Sequence, residues 1–217
     1  MTRYRAVVLA LLLMLLPSPL LAQSQVQFGI SGFGGLHVPT APVLDGIFLT
    51  DDFGEVAATF GQALGPAVGG RLAIWPSRRI GFEVEAAYLA SQLEWDFLIP
   101  VAAGNLEEFS DEQSANAFVT SVNVQLALIR PPLEPLVIFV SGGVGFISRG
   151  GDGFDFFEDT GDVAGVFGLG LKYGVSRGLW LRADVKDYIS SYKEADADAQ
   201  LQNDFLITGG FEVTIGG

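Results

Sequence analysis

The sequence predicts an all-β fold: an eight-stranded antiparallel up-and-down transmembrane β-barrel behind a cleaved signal peptide. Three observations predict it. Behind a short apolar leader, the 217 residues read as eight stretches of alternating apolar and polar residues, the period-two mark of strands with one greasy and one wet face. The gaps between them alternate long, short, long, short, so one end of the strands is trimmed and the other elaborated, as in barrels that cross a bacterial outer membrane. The chain is 49% hydrophobic but only 17% charged, against about 25% charged in a soluble domain. An apolar belt facing lipid accounts for the missing charge.

The leader comes first. Arg3 and Arg5 precede an unbroken apolar run from Ala6 to Leu16, and Pro17-Ser18-Pro19 breaks it. Leu20-Leu21-Ala22 then offers a small residue for cleavage before Gln23. This is the pattern of a secretory signal peptide. The run is well short of the roughly 20 residues that cross a bilayer as a helix. Residues 1–22 are therefore assigned to the signal peptide and 23–217 to one barrel domain. Setting aside the leader's two bases from the 12 Lys and Arg leaves ten against 25 acidic residues, a formal charge of −15. Such a chain repels nucleic acid, whose partners are basic. Cysteine is absent, which rules out thiolate zinc sites and thiol catalysis.

Strand one is expected over Gln25 to Leu36, with Val26, Phe28 and Ile30 on one face and Gln27, Gly29 and Ser31 on the other. A long gap, His37 to Phe60, holds Pro39, Pro42 and Asp51-Asp52. Strand two, Gly61 to Trp75, sets Val68, Leu72 and Ile74 against Arg71 and Ala73, and Pro76-Ser77-Arg78-Arg79 is a short turn of ordinary turn chemistry. Strand three, Ile80 to Trp95, sets Phe82, Val84, Ala86 and Tyr88 against Gly81, Glu83, Glu85 and Ala87. Residues two apart share a face on a strand but not on a helix. A second, acidic gap runs from Asp96 to Ser114. Strand four, Ala115 to Arg130, sets Val122, Val124, Leu126 and Leu128 against Ser121, Asn123 and Gln125. The segment Pro131-Pro132-Leu133-Glu134-Pro135 is a turn that no central strand could run through.

Strand five, Leu136 to Ser148, sets Ile138, Val140, Val144 and Phe146 against Ser141, Gly143 and Gly145; the gap Arg149 to Gly161 follows. Strand six, Asp162 to Tyr173, sets Phe167, Leu169, Leu171 and Tyr173 against Gly168, Gly170 and Lys172. Gly174-Val175-Ser176-Arg177-Gly178 is the third short turn. Strand seven, Leu179 to Ser190, sets Leu179, Leu181, Ala183 and Val185 against Trp180, Arg182, Asp184 and Lys186. After a charged gap, Ser191 to Asp204, strand eight covers Phe205 to Ile215, with Ile207, Phe211 and Val213 against Thr208, Gly210 and Glu212.

Alternation alone does not say which face is the interior, since a soluble barrel shows the same pattern inside out. The polar faces here are rich in Gly and Ser, which suit a crowded lumen. Aromatics gather near strand ends: Phe60, Trp75, Phe82, Tyr88, Trp95, Tyr173, Tyr188 and Phe205, expected as headgroup girdles. All three short turns fall at one end. The polar faces then point inward. They carry Arg71, Lys172, Arg182 and Lys186 together with Glu83, Glu85, Asp184 and Glu212. Eight strands leave room for little more than side chains, and isolated charges in so tight a space are costly. A balanced set therefore predicts an ion-pair network that closes the lumen. The sharper alternative is an ion path.

Gly168-Leu169-Gly170-Leu171-Lys172-Tyr173, and then Leu181-Arg182-Ala183-Asp184-Val185-Lys186-Asp187-Tyr188, resemble the penultimate hairpin of small outer-membrane β-barrel domain proteins, the OmpA/OmpW-like group. The resemblance spans Val163 to Tyr188 and implies the barrel fold, not a ligand. Barrels of that group usually end on an aromatic residue read by the insertion machinery, whereas this sequence ends Ile215-Gly216-Gly217. No peptidoglycan-binding domain is expected behind the barrel, and with it no wall-anchoring role.

Catalysis is not expected. The one histidine, His37, stands beside Pro39 at the edge of the first gap, where a loop or headgroup-zone position is the simpler reading; nothing places a nucleophile and orienting acid beside it. Asp51-Asp52, Glu107-Glu108, Asp111-Glu112 and the stretch Asp152 to Asp162 crowd carboxylates into the long gaps. Oxygen clusters of this kind can attract divalent cations, but they match no calcium-loop spacing, so neither a metal site nor a cofactor is assigned. In the third gap Asp152, Phe154, Asp155, Phe156, Phe157, Glu158 and Asp159 mix aromatics with acids and are the candidates for contact with a ligand or partner. The expected function is structural or surface-binding, through acidic outer loops of an exported outer-membrane protein. Its expected partners are outer-membrane lipid and lipopolysaccharide, the barrel insertion machinery, and divalent cations at the loops, with no nucleic acid. A narrow channel for small apolar molecules or ions is the alternative, and a lipid-modifying barrel enzyme comes third.

Overall fold

The computed structural model describes residues 26–40, 44–50, 54–101, 105–129, 135–154, 161–192 and 200–216. The chain forms β1 (Gln27–Pro39), β2 (Leu44–Thr50), β3 (Gly54–Gln62), β4 (Gly65–Trp75), β5 (Ile80–Leu89) and β6 (Gln92–Val101). It continues through β7 (Asn105–Ser114), β8 (Asn116–Ile129), β9 (Leu136–Gly150), β10 (Gly161–Ser176), β11 (Leu179–Tyr192) and β12 (Gln200–Ile215). A 3-10 turn, Asp152–Phe154, follows β9.

Eight of these strands close a barrel in the order β1-β12-β11-β10-β9-β8-β5-β4, and β1 seals it by pairing antiparallel with both β12 and β4. The trimmed ends fall where turn chemistry puts them. β4 stops at Trp75 before Pro76, β9 starts at Leu136 after Pro135, and β10 turns into β11 through Gly178, whose φ of 77° suits a residue without a Cβ.

The long gaps differ from expectation. The first two are strands, not loops: β2, β3, β6 and β7 form a second, four-stranded sheet in the order β2-β3-β6-β7. β3 runs into β4, β5 into β6, and β7 into β8, each after one or two intervening residues. Backbone bonds at that junction knit the sheet to the barrel rim: Ala63 N donates to Gln92 O (2.8 Å) and Ala115 N to Ser91 O (2.9 Å). Three barrel strands therefore rise above the rim as a wall, at the end opposite Gln27 and Ile215.

The barrel is apolar outside and polar inside. Val144 and Phe167 are 64% and 61% exposed, whereas Glu85 and Lys186 on the other parity are 0% exposed. Phe28, Ile30, Val84 and Val124 lie in the same outward band. A continuous apolar belt of this kind is the surface lipid covers. Two aromatics expected in the headgroup girdles point inward instead. Trp75 (5% exposed) and Tyr188 (1%) share parity with the lumen charges, while Phe82, Tyr88 and Tyr173 face out.

Candidate functional site

The lumen is layered. Nearest the chain termini, Ala73, Trp75, Ala127 and Val137 form an apolar floor with Trp180 packed against it. Gly81 makes room for it: a Cβ there would stand 2.7 Å from the Trp75 ring. Further along the axis Phe33, Leu89, Val119, Ile147, Val166, Tyr188 and Leu206 belong to a second apolar cluster. The charges lie between these layers.

Strand alternation brings all eight predicted lumen residues into that middle zone. Arg182 on β11 grips Asp184 through both ends of its guanidinium, Nε to Oδ2 and Nη2 to Oδ1 at 2.8 Å each. Its Nη1 also donates to Glu83 and, at 3.2 Å, to Glu212. Lys186 Nζ bridges Glu83 (2.9 Å) and Glu85 (2.8 Å). Arg71 donates from Nε to Glu85 and from Nη2 to Thr208 (2.8 Å), with Asp184 3.3 Å from Nη1. Lys172 Nζ holds both oxygens of Glu212, at 2.8 and 2.7 Å. Neutral groups satisfy more lone pairs: Tyr188 donates to Glu85 (2.6 Å) and Gln125 to Glu83 (2.8 Å). Arg71 lies 3.8 Å over the Phe33 ring, and Lys172 4.9 Å over Trp75, so the cations also rest on aromatic faces. The result is one continuous network tying β4 and β5 to β10, β11 and β12.

A second polar group at the far mouth was not legible as a site in the sequence reading. His37, expected at a loop or headgroup position, is 2% exposed, and its Nε2 meets Asp204 Oδ1 at 3.1 Å. Arg149, expected in the third gap, is the penultimate residue of β9 and points inward. It pairs with Asp162 and donates from Nη2 to Gln202 (3.2 Å) and Asp204 (3.4 Å). Between this group and Tyr188 lies a cavity of about 10 Å³, of the order of one water molecule. His37, Gln62, Arg149 and Asp204 line it together with Leu89, Val119, Ile147 and Leu206. Among the described residues, no serine or threonine lines it.

Of the third-gap candidates, Asp152 and Phe154 lie among the described residues. Asp152 and Phe154 sit in the 3-10 turn, where the Asp152 amide donates to Ser114 Oγ at 3.2 Å. Asp155, Phe156, Phe157, Glu158 and Asp159 lie outside the described residues. Among the described residues, no three His, Asp or Glu side chains are arranged to hold a metal ion.

Residues 8–213 match the outer membrane protein beta-barrel domain family. The chain belongs to that family. It is thus an outer-membrane β-barrel, in agreement with its apolar belt. No curated protein matches it. Among solved structures it is similar to the outer membrane protein OprG from Pseudomonas aeruginosa, with a TM-score of 0.59 at 10% identity over 88% of this chain and 96% of that one. Neisserial surface protein A gives 0.49 at 9% identity, covering 87% and 95%. The N-terminal barrel domain of Pseudomonas aeruginosa OprF gives 0.46 at 12% identity, covering 87% and 97%. At such low identity the likeness to OprG speaks for the fold alone.

Proposed function

We propose that this outer-membrane barrel does not conduct, and that it acts by presenting its elaborated rim to lipid, ligand or partner at the cell surface. One observation carries the reading: the ion-pair network fills the lumen between two apolar layers. An ion crossing that zone would have to break buried pairs, and each broken pair leaves an uncompensated charge in a dry interior. Eight strands provide no second path beside the side chains. The mouth cavity does not open one, since below it stand Tyr188 and Glu85, hydrogen-bonded to each other.

A planar bilayer containing the purified protein tests this. The expected record shows no steady single-channel steps at any applied voltage that the membrane survives. Reproducible unitary steps would defeat the reading and favour a narrow channel. Lipid-acyl release assays on the same material are expected to show no activity, and none to be lost in His37→Ala.

A further inference from the structure

Without Arg3 and Arg5 of the leader, the chain's 12 Lys and Arg become ten, and the fold divides them sharply. Arg71, Arg149, Lys172, Arg182 and Lys186 are buried in the lumen. Lys193 falls in the last long gap. The other four, Arg78, Arg79, Arg130 and Arg177, all belong to the three short segments that join β4 to β5, β8 to β9 and β10 to β11. Of the 25 acidic residues, those segments hold one, Glu134. A chain that is strongly acidic as a whole is therefore basic at its trimmed end. In the barrel order β11-β10-β9-β8-β5-β4 the three segments follow one another, so they cap six of the eight strands.

Two of these turns are held in place. Ser77 Oγ accepts from the amides of Arg79 (3.3 Å) and Ile80 (3.0 Å), and Arg79 O accepts from Ala127 N (2.8 Å). Gly178 O accepts from Thr214 N at 2.7 Å. The side chains of Arg78, Arg79 and Arg177 nevertheless stand exposed. The apolar belt runs up to them, since Ile80, Leu126, Val175 and Val213 are exposed at the same end of the barrel. Short turns of outer-membrane barrels face the periplasm, so the basic turns lie where the belt gives way to the headgroups of the inner leaflet.

We propose that the arginines of the trimmed end form a binding surface for anionic phospholipid headgroups of the inner leaflet. The acyl chains lie along the apolar belt, and the phosphate meets Arg79, Arg78 or Arg177 beside it. A guanidinium matches phosphate oxygens with two parallel N–H donors. A zwitterionic headgroup brings its own cation against the arginines, whereas an anionic one does not. The preference therefore rests on headgroup charge and is screened by salt. It is also opposite in sign to what the net charge of −13 dictates, because a uniformly acidic protein excludes anionic lipid.

The test reconstitutes the full-length protein in phosphatidylcholine vesicles with a trace of phosphatidylglycerol or phosphatidylcholine spin-labelled on an acyl chain. The motionally restricted part of the spectrum reports lipid in contact with the belt. Phosphatidylglycerol is expected to be preferred over phosphatidylcholine by about three-fold at low salt. That is less than the roughly five-fold one basic residue gives at its own site, because the signal averages over every lipid contact. At about 0.5 M NaCl the preference is expected to fall towards one. The triple variant Arg78→Gln, Arg79→Gln and Arg177→Gln is expected to lose it at low salt, and Arg→Lys at the same three positions to keep most of it. Heat-modifiable gel mobility reports whether each barrel is intact. Absence of a preference in the wild-type protein, a preference indifferent to salt, or one retained by the folded Gln variant overturns the proposal. Binding to purified peptidoglycan that the Gln variant loses, with no lipid preference, also overturns it and assigns the basic turns to the cell wall.

Discussion

Arg182 is the side chain on which the lumen's order converges, since it alone touches Glu83, Asp184 and Glu212. Arg182→Met would keep much of the volume and leave three carboxylates short of a cation. Removing one partner from a buried ion pair costs about 3–5 kcal/mol. The expected outcome is a lower denaturant midpoint for the folded barrel, read by the loss of its fast-migrating band on unheated gels at increasing urea. An unchanged midpoint would show that water reaches the network. The network's members were readable because each occupies the polar parity of a clear strand. The same parity, carried further along each strand, also assigns Trp75 after Arg71 and Ala73, and Tyr188 after Lys186. Their aromatic character argued for the headgroup zone, but in this barrel neighbouring glycines such as Gly81 leave space for an inward ring. His37 and Arg149 were missed for a related reason. Both lie on the inward parity of their strands, but both fall past the point where the apolar alternation fades.

At the scale of elements, strand ends were legible where turn residues dictate them and illegible where they do not. Trp75, Ile80, Leu136, Leu179 and Ile215 bound their strands in the fold as in the sequence, because proline and glycine stop pairing there. The residues that join β3 to β4, β5 to β6 and β7 to β8 include no proline or glycine to mark the junctions. β7 is so acidic that it reads as solvated loop, and β2 and β3 carry apolar residues on both parities, so their alternation is blurred. Their pairing becomes apparent only when the strands are set side by side. The wall is also separable from what lies below it. Its strands pair with one another, whereas the barrel strands close through β1, β4, β5 and β8 to β12 without them. Excising residues 93–113, so that Gln92 joins Ser114, is therefore expected to leave a folded barrel, with heat-modifiable mobility retained. Loss of the folded band would mean that the β6–β7 hairpin is needed to close the barrel.

The whole molecule is a protein turned inside out. Its apolar surface faces lipid, and its charge is packed into the kind of dry interior that soluble proteins reserve for apolar side chains. Rigidity follows, because the network's bonds tie β4 and β5 to β10, β11 and β12. Full-length protein is accordingly expected to migrate faster unheated than boiled on a denaturing gel, and a mobility indifferent to heating would count against a closed barrel. The rim, by contrast, is lopsided. β4, β5 and β8 continue into the wall, whereas β1 and β9 to β12 do not join it among the described residues. The raised strands carry Arg71, Glu83, Glu85 and Gln125; the low ones carry Lys172, Arg182, Lys186 and Glu212. Mechanically, the wall is a lever arm fixed to three of the barrel's eight strands. A sideways pull on its tip is a torque at the rim, and the struts that resist it are the bonds from Lys186 and Arg182 to Glu83 and Glu85.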